Sequence, residues 1–144
     1  MMEPRVIEGS FFNDERGSVA FVNDFKFDEI KRFYIISNSM EHSIRAWQGH
    51  KLDEKNFYCV QGSFKIHYVK IDDWISPSKD LPIGSIVLKA SESRILHIPA
   101  GYANAIQTLE KNSRLISFST LSLDFVKDDD VRYDKLTWLI DEKG

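Results

Sequence analysis

The chain of 144 residues has little cysteine, proline or glycine: one, four and seven residues respectively. A single cysteine, Cys59, excludes an intrachain disulfide and fits a reducing compartment, so a cytoplasmic location is expected. Cys59 lies inside an apolar run and reads as a small core residue rather than a nucleophile. No apolar run approaches the roughly 20 residues of a membrane span, and the first residues, MMEPRVIEGS, lack the apolar centre of a signal peptide. No membrane partner is expected. A basic excess is also missing: 19 Lys and Arg stand against 22 Asp and Glu, for a net charge of -3. Nucleic acid is therefore not an expected partner. The chain shows no repeat, linker or low-complexity stretch. Its one charge run, Asp128-Asp129-Asp130, reads as a solvated loop.

What is present is apolar and aromatic: 42% hydrophobic residues and 12% aromatics, enough to bury a core in one domain spanning residues 1–144. The periodicity is two rather than 3.6. Segments 18–23, 31–37, 43–48, 56–61, 63–70, 85–90, 93–99, 103–109 and 113–121 read as strands, rich in Val, Ile, Phe and Tyr and separated by turn formers. Gly62, between two such runs, predicts a tight hairpin. "PIGS" and "PAGY" predict further turns. A helix is expected only over residues 134–143, where Leu136, Leu139 and Ile140 would share one face. Short strands at regular spacing predict an all-β sandwich or barrel, for which a jelly roll is a standard solution.

The stretch "RAWQGHKLDEKNFYCVQG" (45–62) combines a histidine, a glutamate four residues on, and a glycine after a further apolar run. Gln48-x-His50-x3-Glu54 with Gly62 resembles the first motif of the cupin superfamily, which leads with His-x-His. "PAGYAN" (99–104) resembles the second, Pro-x-Gly-x-x-His, with Asn104 in the histidine position. A closer resemblance covers nearly the whole chain. "FNDERG" (12–17), "IRAWQ" (44–48), "HIPAGYANAI" (97–106) and "DDVRYD" (129–134) are similar to segments of the dTDP-4-dehydrorhamnose 3,5-epimerase family, and Lys55 matches that family's active-site lysine. "RGSVAFVN", "IKRFYII" and "RAWQGHK" resemble the related dTDP-sugar 3,4-ketoisomerases.

The resemblance implies a cupin double-stranded β-helix, or jelly roll, that pairs as a homodimer. It implies binding of a nucleotide-linked 4-keto-6-deoxyhexose, in deoxysugar biosynthesis for cell-surface polysaccharide. On the matched positions it implies Arg16 and Arg45 on the diphosphate, a task the planar guanidinium suits, and Lys55 on the keto oxygen. His50 would be the base that remains. Tyr34 and Tyr102 would donate protons or stack on a base, although aromatics on strands are also ordinary core residues. His42, His67 and His97 have no motif behind them.

The departures separate binding from catalysis. The epimerase base falls on Gln48, the second-motif histidine on Asn104, and the aspartate that partners the base near Lys135. The acid tyrosine, expected near Ser122 or Leu123, is absent. A carboxamide keeps the hydrogen bonding of an imidazole but cannot titrate near neutral pH. Gln48 and Asn104 thus fit either substrate binding or simple polar satisfaction inside a barrel. The cupin metal positions become Gln48, His50, Glu54 and Asn104. One imidazole and one carboxylate are too few for firm zinc or iron binding, so neither a metal nor another cofactor is expected. Glu54 joins Gln48, Asn104 and Tyr102 as a candidate substrate contact. Two main readings stand, an epimerase or ketoisomerase using His50 and a non-catalytic nucleotide-sugar-binding relative, with a metal-dependent cupin oxygenase a distant third.

Overall fold

Alternation along residues 55–70 creates two layers. In β6 (Lys55–Gln61), Phe57 and Cys59 face the core, and in β7 (Ser63–Lys70), Phe64 and Ile66 do so. The computed structural model describes residues 2–141. Within it, one five-stranded sheet runs β1 (Arg5–Glu8), β9 (Arg94–Ile98), β6, β11 (Arg114–Ser119), β4 (Arg32–Ile36). The second runs β12 (Asp130–Arg132), β5 (Ile44–His50), β10 (Tyr102–Thr108), β7, β8 (Gly84–Lys89). Their neighbours pair antiparallel throughout. Phe57, Phe64, Leu88, Leu96 and Leu115 fill the space between the sheets. A separate hairpin, β2 (Ser10–Asp14) and β3 (Gly17–Phe21), pairs with neither sheet.

The nine expected strands all form, with small shifts at their ends, and the two facing sheets make the jelly roll. Three further strands, β1, β2 and β12, were not expected from their sequences. Gly62 does not make a hairpin. It carries the chain from the first sheet into the second, with φ at 74° and no room for a Cβ beside Ser113. "PAGY" does the same between β9 and β10, and Gly101 donates its N–H to the His50 carbonyl at 2.8 Å.

Two expectations are corrected at the C-terminal end. Residues 134–141 are turn and irregular chain rather than helix, and positions 142–143 of the expected helix lie outside the described residues. Leu136 and Leu139 remain 72% and 74% exposed, while Trp138 is 1% exposed. Its ring packs edge-on to Trp47 at 5.2 Å, over the small Ala103 and Ala105 on the outer face of the second sheet. Trp47 Nε1 donates to the Trp138 carbonyl at 3.1 Å, and Trp138 Nε1 to the Ser78 carbonyl at 2.9 Å. A pair of packed indoles, each with its N–H satisfied, outweighs a helical face that had no sheet to cover. The helix lies earlier, at α1 (Leu123–Asp129). The aspartate run is not a solvated loop: Asp128 is exposed, but Asp129 is buried at the end of α1, and Asp130 begins β12.

Candidate functional site

Gln48 and His50 lie two residues apart on β5, so they share the inner face, while Trp47 packs on the outer one. Beside them the open edge between β4 and β12 forms a cleft of about 380 Å³. Tyr34, Arg45, Gln48, His50 and Lys55 line it. Arg32, Val126, Asp130 and Arg132 line it too, and none of these four was a candidate from sequence. Arg45 Nε donates to Asn38 Oδ1 at 3.3 Å, and Arg32 lies over the Tyr34 ring at 5.1 Å.

Lys55 is the fixed point of the cleft wall. Its Nζ donates to Tyr34 Oη at 3.0 Å and to Ser119 Oγ at 2.8 Å, and pairs with Asp53 Oδ2 at 3.0 Å. Both partners of that ion pair are buried. Asp53 Oδ1 in turn accepts the N–H of Thr120 at 3.0 Å and of Leu121 at 3.1 Å. Asp129 holds the β5–β6 loop by accepting the N–H of Leu52 at 2.6 Å and of Asp53 at 3.0 Å. A buried charge this well bonded has a fixed position, which a residue acting on a developing oxyanion requires.

His50 is 6% exposed, and its Nε2 has no hydrogen-bond partner among the described residues. Burial, and then the positive charge of Lys55, push the imidazole down to about 4; Asp53, Asp130 and Asp129 offset part of this. At neutral pH the ring is therefore neutral, with Nε2 left without a partner among the described residues.

The other sequence candidates lie elsewhere. Asn104 is buried on β10 directly opposite Gln48, so the two amides are cross-strand neighbours. Tyr102 is the register partner of His50, but it lines a different cavity, of about 570 Å³, with Tyr68. Burial raises its hydroxyl above the usual tyrosine range. Glu54 lines a third cavity with Arg5, Asn56 and His97, where its carboxylate lies 3.2 Å from His97 Nε2. Burial raises this carboxyl too. The cupin ligand positions thus do not converge: Glu54 turns away from His50. Arg16 sits on the β2–β3 hairpin, 81% exposed, paired with Asp14 at 2.6 Å and away from the cleft. Cys59 is buried, which pushes its thiol up to about 11, and is a core residue as expected. His67 is buried between Ser85 and Gln107, and His97 Nδ1 donates to Asn56 Oδ1 at 2.6 Å, so both are structural.

Sequence reasoning missed Asp53, Ser119, Asp129, Asp130, Arg32 and Arg132. Asp53 and Arg32 each stand two residues from a chosen position, Lys55 and Tyr34, on strand or loop segments that alternate faces. That spacing was the available signal for them. No described helix is long and apolar enough to cross a membrane.

No curated protein matches the chain. Among solved structures, a mutant of QdtA, a 3,4-ketoisomerase from Thermoanaerobacterium thermosaccharolyticum in complex with TDP-4-keto-6-deoxyglucose, is similar at a TM-score of 0.73 and 22% identity, covering 95% of this chain and 92% of that one. A dTDP sugar isomerase from Desulfovibrio desulfuricans G20 gives 0.77 at 14% identity, covering 98% and 91%. ChmJ, a 3'-monoepimerase from Streptomyces bikiniensis in complex with dTDP-quinovose, gives 0.73 at 15% identity, covering 92% and 70%. These likenesses show a shared fold, the cupin jelly roll. The family described as "FdtA: WxcM-like, C-terminal" matches residues 2–138, and the chain belongs to that family.

Proposed function

We propose that this protein is an isomerase of nucleotide-linked 4-keto-6-deoxy sugars, acting at one carbon beside the keto group as a 3,4-ketoisomerase does. The observation that carries the reading is the pairing, in one cleft, of a neutral buried imidazole with a free nitrogen and a buried ammonium held beside a tyrosine hydroxyl. A 4-keto group makes the adjacent C–H acidic. His50 Nε2 takes the C3 proton, and the electron pair moves to the carbonyl oxygen. Lys55 and Tyr34 meet that oxygen as charge develops on it. Arg45, with Arg32 and Arg132 on the same rim, grips the diphosphate. Gln48, backed by its cross-strand neighbour Asn104, reads the sugar through hydrogen bonds without moving protons.

Double epimerisation is disfavoured by the amide at Gln48 and by the missing tyrosine near Ser122. The carbon at C5 then has neither base nor acid. The assay is NMR in D2O with dTDP-4-keto-6-deoxyglucose. Exchange at C3 with appearance of the 3-keto isomer is expected. Exchange at both C3 and C5 at ordinary enzymatic rates would refute it, and tight dTDP binding with no exchange would instead make the protein a nucleotide-sugar-binding relative. His50→Asn should abolish exchange while leaving dTDP affinity intact. Bound dTDP at a hundredfold excess over its dissociation constant should stabilise the fold by about 2.7 kcal/mol.

The homodimer belongs to the same reading. The outer face of the first sheet leaves Phe33 and Ile35 exposed, and the separate β2–β3 hairpin exposes Phe12 and Val19. A twin covering these residues would bury an apolar surface that water now meets. It would also bring the exposed Arg16 to a neighbouring protomer, the one way that residue can serve a diphosphate. A monomer by light scattering at micromolar concentration would contradict this.

A further inference from the structure

Moving a ketone from C4 to C3 needs more than a carbon base. The C3 hydroxyl must also lose its proton as its oxygen becomes the new carbonyl. His50, Lys55 and Tyr34 account for the carbon and for the old carbonyl oxygen, and none of them for the hydroxyl. The cleft contains one group of the right chemistry to which no sequence motif assigned a role.

Asp130 is the antiparallel register partner of His50 across the β12–β5 pair, so their side chains emerge side by side on one face. Both line the cleft. One carboxylate oxygen, Oδ2, accepts Arg132 Nε at 3.2 Å. The other, Oδ1, is buried and has no hydrogen-bond partner among the described residues, the same condition as the neighbouring His50 Nε2. A buried acceptor left open is costly, and two orphaned polar atoms side by side in a cleft are what a polyol substrate would complete. Asp129, next in the chain, is committed to the loop at Leu52 and Asp53 and is not free for this task.

We propose that Asp130 is a second proton acceptor, a catalytic carboxylate that takes the substrate hydroxyl proton while His50 works on the adjacent carbon. The inference rests on the isomerase reading above and assigns it a reaction order. His50 Nε2 takes the proton from C3; the C–H pair becomes the C3–C4 double bond, and the C4 oxygen takes a proton from Tyr34, giving an enediol. Asp130 Oδ1 then takes the O–H proton from the C3 oxygen. The O–H pair forms the C3 carbonyl, and the double bond takes back a proton at C4 from the imidazolium of His50. One proton has passed from Tyr34 to Asp130, and water in the open cleft returns it between turnovers. An epimerase at C3 needs no such oxygen base, so a carboxylate here selects ketone transfer.

The test is Asp130→Asn, followed by NMR in D2O with dTDP-4-keto-6-deoxyglucose, reading C3 exchange and 3-keto product separately. The wild type should give both. The variant should retain C3 exchange within a few-fold while product formation falls by about 10²-fold, the loss usual for one acid–base group. Asp130→Glu should restore part of the product rate. Equal loss of exchange and product would overturn the proposal, since Asp130 would then act through His50 or through the fold. Unchanged product formation would overturn it as well. Both leave the isomerase reading intact if the wild type turns over, whereas a wild type without exchange or product defeats that reading and this inference together. An unchanged dTDP-induced thermal shift in Asp130→Asn shows that the variant is folded and binds.

Discussion

Removing the charge of Asp53 should be among the most damaging conservative changes to this fold. Asp53→Asn preserves size but forces a choice. If the amide oxygen keeps the Thr120 and Leu121 N–H groups, which lie 3.0 and 3.1 Å from Oδ1, its NH2 must face the Lys55 ammonium. If it turns the other way, two backbone donors are left facing a donor. Either way the ammonium, buried and 3.0 Å from Asp53 Oδ2, loses its countercharge. Direct attraction at that distance is on the order of 5 kcal/mol even at an effective dielectric of 20. Breaking a buried pair from one side typically costs about 3–5 kcal/mol, because the remaining charge stays desolvated. For a chain of this size that corresponds to a fall in Tm of roughly 10–15 °C. Urea unfolding of wild type and Asp53→Asn, followed by tryptophan fluorescence, measures it. The companion Lys55→Met leaves Asp53 with its three hydrogen-bond donors, including Thr120 Oγ1, and should cost less. In the double variant the losses should fall short of additivity by about 1–3 kcal/mol. A loss below about 1 kcal/mol for Asp53→Asn, or strict additivity, would refute the buried-pair account.

Stability should also depend on pH through the histidines. His50 is held down to about 4 from 6.5, so between those values the unfolded chain binds more protons than the folded one. Its contribution is fully present above pH 6.5 and is lost as pH falls toward 4, by about 3 kcal/mol for this ring alone. Burial lowers His67 and His97 in the same direction. Urea midpoints at pH 7 and 4.5 should converge in His50→Gln relative to wild type, and an equal pH slope in both would contradict the assignment. Trp138→Ala should cost about 3–5 kcal/mol by emptying the site over Trp47 and releasing the tail; near-ultraviolet circular dichroism and urea unfolding would detect it, and a loss under about 1 kcal/mol would not fit. Gly62→Ala should destabilise by more than about 1 kcal/mol, because φ there is 74° and the new Cβ meets Ser113. Ser113→Gly should relieve only the steric part, so full rescue in the double variant would show that the backbone angle is unimportant.

The sequence by itself determined nine of the described strands and five residues of the cleft. Period-two alternation of large apolar residues leaves little choice of face, so Phe57, Phe64 and Ile66 had to point into a shared core, and with them Gln48 and His50 had to share a side of β5. Motif spacing then carried Tyr34, Arg45, Gln48, His50 and Lys55 into one cleft. What only the tertiary structure decided is which charges serve that cleft. Asp129 reaches Asp53 across 76 residues and Ser119 reaches Lys55 across 64, and no local pattern encodes a partner that distant. An aspartate run reads as solvated because charge usually is. Here the turn from α1 into β12 buries one carboxylate against open backbone N–H groups and aims the next at the cleft. The tail followed the same logic: residues 134–143 have a helical apolar period, but a helix needs a surface to cover. The surface on offer, the small residues Ala103 and Ala105 beside Trp47, fitted one indole with Ile140 packed against the cluster, and left Leu136 and Leu139 in water.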